Sequence, residues 1–456
     1  YMQISDEINI NLKLDHEKAN SKVIKSPEAS GNIYIQKLIY YHCKEYRIVS
    51  INNFAFFNNK AIKSVKFPDD SELRSIFNNS FRKSSIEYIF IPPKVKKIDY
   101  LAFFGCSNLK SIEFSAKSKL LIIGHSAFMY CPLKKIIIPS SVTHISNSAF
   151  NHCKELQFIE FQPNSKIHII NEMAFMDCTS LVTITIPSSV KKIGSRAFMN
   201  CFNLRKVVLT ENSKLNSIGT HSFFFTSLEK FFIPSKVSNL EDGWCYGLKN
   251  LNDLSISPHN SNFSIYNDQF VLGKTHKERS PFDIILFARN DAEKIVIPSF
   301  IKRIGPYSFS YHQNLKTIKF LNDSKIERIE KFAFSYSFVE KVTLPITLNI
   351  IQTEAFSACL KLKSIEFSEN SIGTEKVKCI TKIGKFAFLR CPALEKIEFL
   401  GNELLLENQC FQSCSNLWLI SCPNAEFVYL SLDSFGSVSR QFSLFIKANS
   451  QIFEKV

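Results

Sequence analysis

Glycine and tryptophan are scarce in this chain: 13 Gly and 2 Trp in 456 residues. So little glycine leaves no G-x-G-x-x-G, no Walker loop and no G-x-S-x-G, so the phosphate cradles and the nucleophile elbow that need those turns are missing. The 10 His are scattered, with no H-E-x-x-H and no pair at metal-ligand spacing. Cys410 and Cys414 form a C-x3-C, but no second pair completes a zinc site. The chain therefore reads as a non-enzyme with no cofactor and no metal. No run approaches the roughly 18 to 20 apolar residues that span a bilayer, so no transmembrane segment is expected. The chain begins at Tyr1 rather than Met, which reads as a native N-terminus lying upstream, so nothing follows about a leader peptide.

Phenylalanine, in contrast, is abundant, at 43 against 14 Tyr. A side chain with no polar handle, used so often, implies many equivalent buried slots. Aligning the chain on Ala-Phe shows them. Phe56, Phe81, Phe103, Phe128, Phe150, Phe175, Phe198 and Phe223 follow one another at 25, 22, 25, 22, 25, 23 and 25 residues. The series reads on through Trp244, Phe309, Phe334, Phe356, Phe388 and Phe411. A short unit, IPSSVKKIGSRAFMNC (Ile186 to Cys201), alternates with a long one, FSAKSKLLIIGHSAFMYC (Phe114 to Cys131). Prolines of the short unit recur at Pro92, Pro139, Pro187 and Pro234, in steps of 47, 48 and 47. Such periods define a solenoid in which each unit buries its face against its neighbours.

Each unit opens with a period-two segment, such as LKSIEF (Leu109 to Phe114), that reads as a half-buried strand. Proline ends the short version by removing a donor. The following V-x-x-I-G-x-x-A-F is too short for a stable helix and reads as a second short strand or turn across the coil. The fold class is thus mainly β: a curved solenoid of alternating 22- and 25-residue units with very little α-helix, which resembles a leucine-rich-repeat solenoid. The period breaks between Pro234 and Pro298, where Asn262 to Ala288 reads as two strands joined by the polar loop Lys274 to Pro281. A smaller insertion falls between Ser371 and Ile383. The expected organisation is an irregular cap over 1–45, a first array over 46–250, a hairpin insertion over 251–295, a second array over 296–420 and a C-terminal cap over 421–456.

The recurring L-x-x-I-x-I-P-S-S-V-x-x-I-G-x-x-A-F-x-x-C, as in Leu181 to Cys201, resembles the Treponema pallidum-type leucine-rich repeat. Its alternation with F-x-x-x-S-x-L-x-x-I-G-x-x-A-F resembles the BspA-like surface antigens, over about residues 46 to 420. The interrupting hairpin is similar to a module of the same family. The resemblance implies a cell-surface or secreted, adhesin-like protein that binds host matrix proteins or cells. It supplies no catalytic motif.

Cys106, Cys131, Cys153, Cys178, Cys201, Cys359, Cys391 and Cys414 share one position, three residues after the Phe. This reads as an inward ladder of reduced, buried thiols, since Ser84, His312 and Ser337 stand there too. Rungs about 5 Å apart would also allow a disulfide on Cα distance alone. Asn78, Asn262 and Asn322 begin N-x-S sequons, which such a composition produces by chance. Lys plus Arg exceed Asp plus Glu by 56 to 41, for a formal charge of +15. The surplus favours anionic partners, an acidic protein or an acidic glycan among them. It is spread without a basic arm, so nucleic acid is not the expected partner.

The strand face is the expected binding surface, with Phe90, Ile137, Phe158 and Phe232 as apolar anchors and Lys135, Lys206 and Lys230 as the attraction for an acidic partner. The same residues would stand on a β-rich surface for strand propensity alone. The hairpin loop is the alternative site. An intracellular interaction scaffold is the alternative function, which 13 Cys in a reducing compartment would suit.

Overall fold

The repeat register is realised as parallel coils in a computed structural model. It describes residues 2–4, 10–275, 281–321, 323–368, 380–431, 433–438, 442–446 and 451–455. Among them there is no helix, and hence none long and apolar enough to cross a membrane. The contacts divide the chain into two compact units, Tyr1–Leu248 with Asp253–His259, and Lys249–Asn252 with Asn260–Val456.

In the first unit the period-two segments pair in parallel. Tyr88–Ile91 lies beside Ser111–Phe114 in one sheet, and Lys135–Ile138, Phe158–Phe161, Thr183–Thr185, Lys206–Val208, Lys230–Ile233 and Asp253–Ile256 form another. Each coil also contributes a two-residue strand on its other side. Lys97–Ile98, Ile122–Ile123, His144–Ile145 and Ile169–Ile170 are successive examples. Prolines act as anticipated: strands stop at Ile91, Ile138 and Ile233, and the carbonyls of Pro92, Pro139 and Pro234 then accept from the third residue on. Pro345 is an exception, standing inside Lys341–Pro345 as its last residue.

The Ala-Phe segments turn the coil without a helix. In one of them the N–H groups of Leu101, Phe103 and Gly105 donate to His125, Ala127 and Met129 of the next coil, at 2.8 to 3.0 Å. Those of Ala102, Phe104 and Cys106 close turns onto Asp99, Leu101 and Phe103. Every amide is thereby satisfied, as a buried backbone requires. The geometry places the residues two before and two after the Phe in the left-handed region, such as Ser126 (φ 52°) and Tyr130 (φ 64°), or Arg196 (φ 57°) and Asn200 (φ 61°). That conformation costs roughly 1–2 kcal/mol per non-glycine residue, and the coil-to-coil bonds offset it. Glycine is required where backbones touch: a Cβ on Gly219 would lie 2.5 Å from the Ser195 nitrogen.

The spine runs down the centre. From Phe56 to Phe223 the rings stack nearly parallel, their centroids 4.9 to 5.5 Å apart. In the second unit Phe309, Phe334, Phe356, Phe388 and Phe411 do the same. Phe435, absent from the sequence series, adds a further ring 6.2 Å from Phe411. Trp244 is not the spine residue the series made it. The amides of Phe103, Phe128, Phe150 and Phe175 meet the Ala carbonyl of the next coil, whereas that of Phe223 meets the Trp244 carbonyl, so Trp244 holds the Ala place and Cys245 the Phe place. The small thiol leaves room, and the buried indole tilts against Phe231 at 5.3 Å.

In the second unit the expected two-stranded insertion has three strands. Ser264–Tyr266 pairs antiparallel with Phe270–Lys274, which pairs antiparallel with Phe282–Ala288. The chain reverses over the three residues Asn267 to Gln269, where Asn267 and Asp268 adopt positive φ (49° and 52°) and the Gln269 amide donates to the Tyr266 carbonyl at 3.0 Å. Phe282–Ala288 then pairs in parallel with Arg303–Ile304 and starts the second stack. Part of the Lys274 to Pro281 loop, most of the Ser371 to Ile383 insertion and the Asn322 sequon lie outside the described residues.

Candidate binding surface

The parallel register sets the surface. Because strands pair residue for residue, Lys135, Phe158, Thr183, Lys206, Lys230 and Asp253 fall into one column. Ile136, Ile159, Ile184, Val207 and Phe231 beside them are buried and anchor the face to the core. Two positions over, Ile137 stands opposite Glu160 and Phe232 opposite Ser255. Phe90 lies in the preceding sheet, opposite Glu113. Apolar and charged coils thus alternate at Phe90, Glu113, Ile137 and Glu160. Phe158 is the most open anchor at 55% exposed, Ile137 is exposed, and Phe90 and Phe232 are half-buried. An open groove lined by Glu160, Phe161, Gln162, Pro163, Thr185 and Pro187 runs alongside.

The lysines differ in a way the sequence did not suggest. Lys135 pairs with Glu160 at 3.2 Å and Lys230 with Asp253 at 2.9 Å, a bond that holds the Lys230 ammonium above its usual range. Lys206 has no carboxylate partner among the described residues. Exposed pairs of this kind add little stability, but they mute the field two of the three lysines offer. Tyr88, in the preceding sheet, donates to Glu113 at 2.6 Å; partial burial first, then that carboxylate, pushes its phenol up to about 12.

The cysteine ladder lies inside and has a structural task. Each thiol donates to the carbonyl of the preceding coil's Phe: Cys106 to Phe81 at 2.9 Å, Cys153 to Phe128 at 3.1 Å, Cys201 to Phe175 at 3.1 Å, and Cys414 to Phe388 at 3.0 Å. His312, in the same place, meets the Ala288 carbonyl through Nε2 at 3.1 Å. The described cysteines are all free, and only Cys43 is exposed. Burial raises the thiols of Cys131, Cys153, Cys178, Cys201 and Cys391, Cys153 to about 12, which suppresses the reactive thiolate at those coils. In the native protein a thiol reagent should therefore label Cys43 rapidly and the ladder only on unfolding. Denaturing alkylation without reductant, read by mass spectrometry, should modify every ladder cysteine; a linked pair such as Cys153 with Cys178 would contradict the thiol assignment.

A second strip was missed. On the turn side of the first unit, Phe57, Arg82, Phe104, Tyr130, His152 and Asp177 touch in sequence from coil to coil. They occupy the two positions after the spine Phe, so reading those columns as the strand columns were read would have found them. Among the described residues no group of three or more His, Cys, Asp or Glu is placed to hold a metal ion.

Paired strands, a central aromatic spine and one buried ladder per coil define a parallel β-solenoid of the leucine-rich-repeat class. The family described as "BspA type Leucine rich repeat region (6 copies)" matches residues 33–157, 154–271, 284–417 and 328–455, and the chain belongs to it. A leucine-rich cell surface protein from Faecalibacterium prausnitzii A2-165 is similar in structure, with a TM-score of 0.55 at 19% identity over 99% of this chain and 96% of that one. A leucine-rich repeat protein from Bacteroides ovatus ATCC 8483 is similar with a TM-score of 0.54 at 21% identity, over 100% of both chains. At these identities the likeness is one of fold. No curated protein sequence matches the chain.

Proposed function

We propose that the chain is a non-enzymatic, protein-binding solenoid, displayed at a cell surface or secreted, whose strand face engages a host matrix or cell-surface protein. The observation that carries this reading is the single column Lys135–Phe158–Thr183–Lys206–Lys230, in which an exposed ring stands among cations on a rigid sheet. Interfaces concentrate their energy in a few such aromatic residues. Family membership and the cell-surface description of the F. prausnitzii protein support the location. The buried free thiols favour a second reading, an interaction scaffold inside a reducing compartment that uses the same face.

Binding to a panel of immobilised matrix proteins and to intact cells tests the proposal. Replacing Phe90, Phe158 or Phe232 by Ala should cost about 2 kcal/mol or more at a true anchor, most at the open Phe158. Lys206→Ala should mainly slow association and weaken its salt dependence. A variant lacking residues 275–280, with Phe270–Lys274 and Phe282–Ala288 retained, separates the alternative site. Lost binding there, with the Phe variants unaffected, would move the site to the hairpin.

A further inference from the structure

The turn side of the first unit holds a cluster of cations, Lys60, Arg82 and Lys83, that pair with no carboxylate among the described residues. Arg82 directly follows the spine residue Phe81. Its guanidinium lies 5.2 Å from the ring centre of Phe104 and 6.0 Å from that of Phe57, so rings from the next coil and the previous one clamp it. Nη1 donates to the Asn79 Oδ1 at 3.1 Å, while Nε is buried without a hydrogen-bond partner. Lys60 and Lys83, both exposed, stand beside it, with the Lys60 ammonium donating to the Lys83 carbonyl at 2.6 Å. None of these three has an ion-pair partner among the described residues, although Lys94, Lys97 and Lys135 of the same unit do.

We propose that this cluster anchors an acidic, extended segment of a protein partner, at a site separate from the strand face. A guanidinium fixed by stacking has little rotamer freedom left to lose and can grip a carboxylate through two parallel bonds. Apolar surface is at hand for the rest of the segment. Phe54 and Phe57 are exposed, Phe104 contacts Tyr130 at 5.6 Å, and Tyr130 contacts His152 at 4.7 Å. The strip ends at Asp177, which His152 approaches at 3.5 Å and Asn200 bonds at 3.0 Å. At about 4.8 Å per coil, Arg82 to Asp177 spans roughly 19 Å, the reach of about six extended residues. The segment is therefore polar in direction, acidic over Arg82 and apolar over Phe104 and Tyr130. A uniform polyanion fits poorly, since the cations sit at one end and a carboxylate closes the other.

Fluorescence anisotropy with the full chain tests this, using a dye-labelled peptide Glu-Glu-Phe-Leu-Ala-Gly and its Gln-Gln counterpart at low salt. The acidic peptide should bind saturably, and the Gln-Gln peptide at least about tenfold more weakly, because a charge-assisted pair is lost. Arg82→Gln should cost a similar factor. Arg82→Lys should also weaken binding several-fold, since lysine keeps the charge but not the planar fork. Phe158→Ala and Lys206→Ala on the strand face should leave the peptide bound as before, which separates this site from the one proposed above. Thermal melts confirm folding; should Arg82→Gln unfold, the Arg82→Lys comparison decides. Absence of saturable binding at millimolar peptide, or wild-type binding by Arg82→Lys, would overturn the proposal. So would a sulfated oligosaccharide or an oligonucleotide that bound more tightly than the peptide with the same dependence on Arg82.

Discussion

Phe198→Ala is expected to destabilise the first unit by about 3–5 kcal/mol, the range for emptying a buried aromatic site. Phe198 is fully buried and lies between Phe175 and Phe223, each 5.5 Å away and within 11° of parallel. Truncation removes contacts to both neighbours at once, and neither can close the gap, because each is itself held by the next ring and by the backbone ladder. Stability in a stack of coils is shared between nearest neighbours, so the loosening should spread to the adjoining coils. Urea unfolding followed by circular dichroism gives the magnitude, and hydrogen exchange locates it. A variant that melted like the parent would mean the ring is not part of the core.

Acid should weaken the second unit through His312. This imidazole is buried in the ladder position between the carbonyls of Ala288 and Ser310. Desolvation lowers it to about 4 from 6.5, despite those carbonyls and the carboxylate of Asp291, which favour the charged form. Asp291 is itself paired with Arg289 at 2.6 Å. The sign follows from proton counts. Between pH 6.5 and 4 the unfolded chain binds the proton and the folded chain does not, so stability falls as pH falls through that window and levels off below it. A gap of that size amounts to about 3 kcal/mol. His312→Cys, which installs the residue most ladder positions carry, should remove this acid dependence while preserving the carbonyl contact. If thermal melts of the two proteins kept the same offset from pH 7 to pH 4, the assignment of the acid loss to His312 would fail.

Particular residues show how far the sequence could be read. The spine and the thiol ladder were visible because one residue type recurs at one spacing, and burial of a repeated slot demands that repetition. The left-handed positions were not visible. Tyr130, Arg196 and Met173 carry no signal for positive φ, since coil-to-coil hydrogen bonds impose what the residues themselves disfavour. Trp244 misled because a large aromatic beside a Gly imitates Ala-Phe, while the hydrogen-bond register gives its place to Cys245. On the binding face, the column of Lys135, Phe158, Lys206 and Lys230 followed from period-two patterning alone. The engagement of Lys135 with Glu160 did not, because it is a diagonal contact, Glu160 lying two residues beyond the Phe158 that faces Lys135, and columns read one at a time do not display it.

The direction of the hydrogen bonds in the turn ladder has a mechanical consequence. In the first unit those bonds run from coil to coil, along the stacking direction. A pull along that direction loads them in tension, one coil at a time, instead of shearing many together. A unit released in this way lengthens from about 4.8 Å of stack to as much as ~75 Å of chain for a 22-residue repeat. Bound at one point and tethered at another, such an array would yield under load by paying out chain coil by coil, which limits the force reaching the contact it holds.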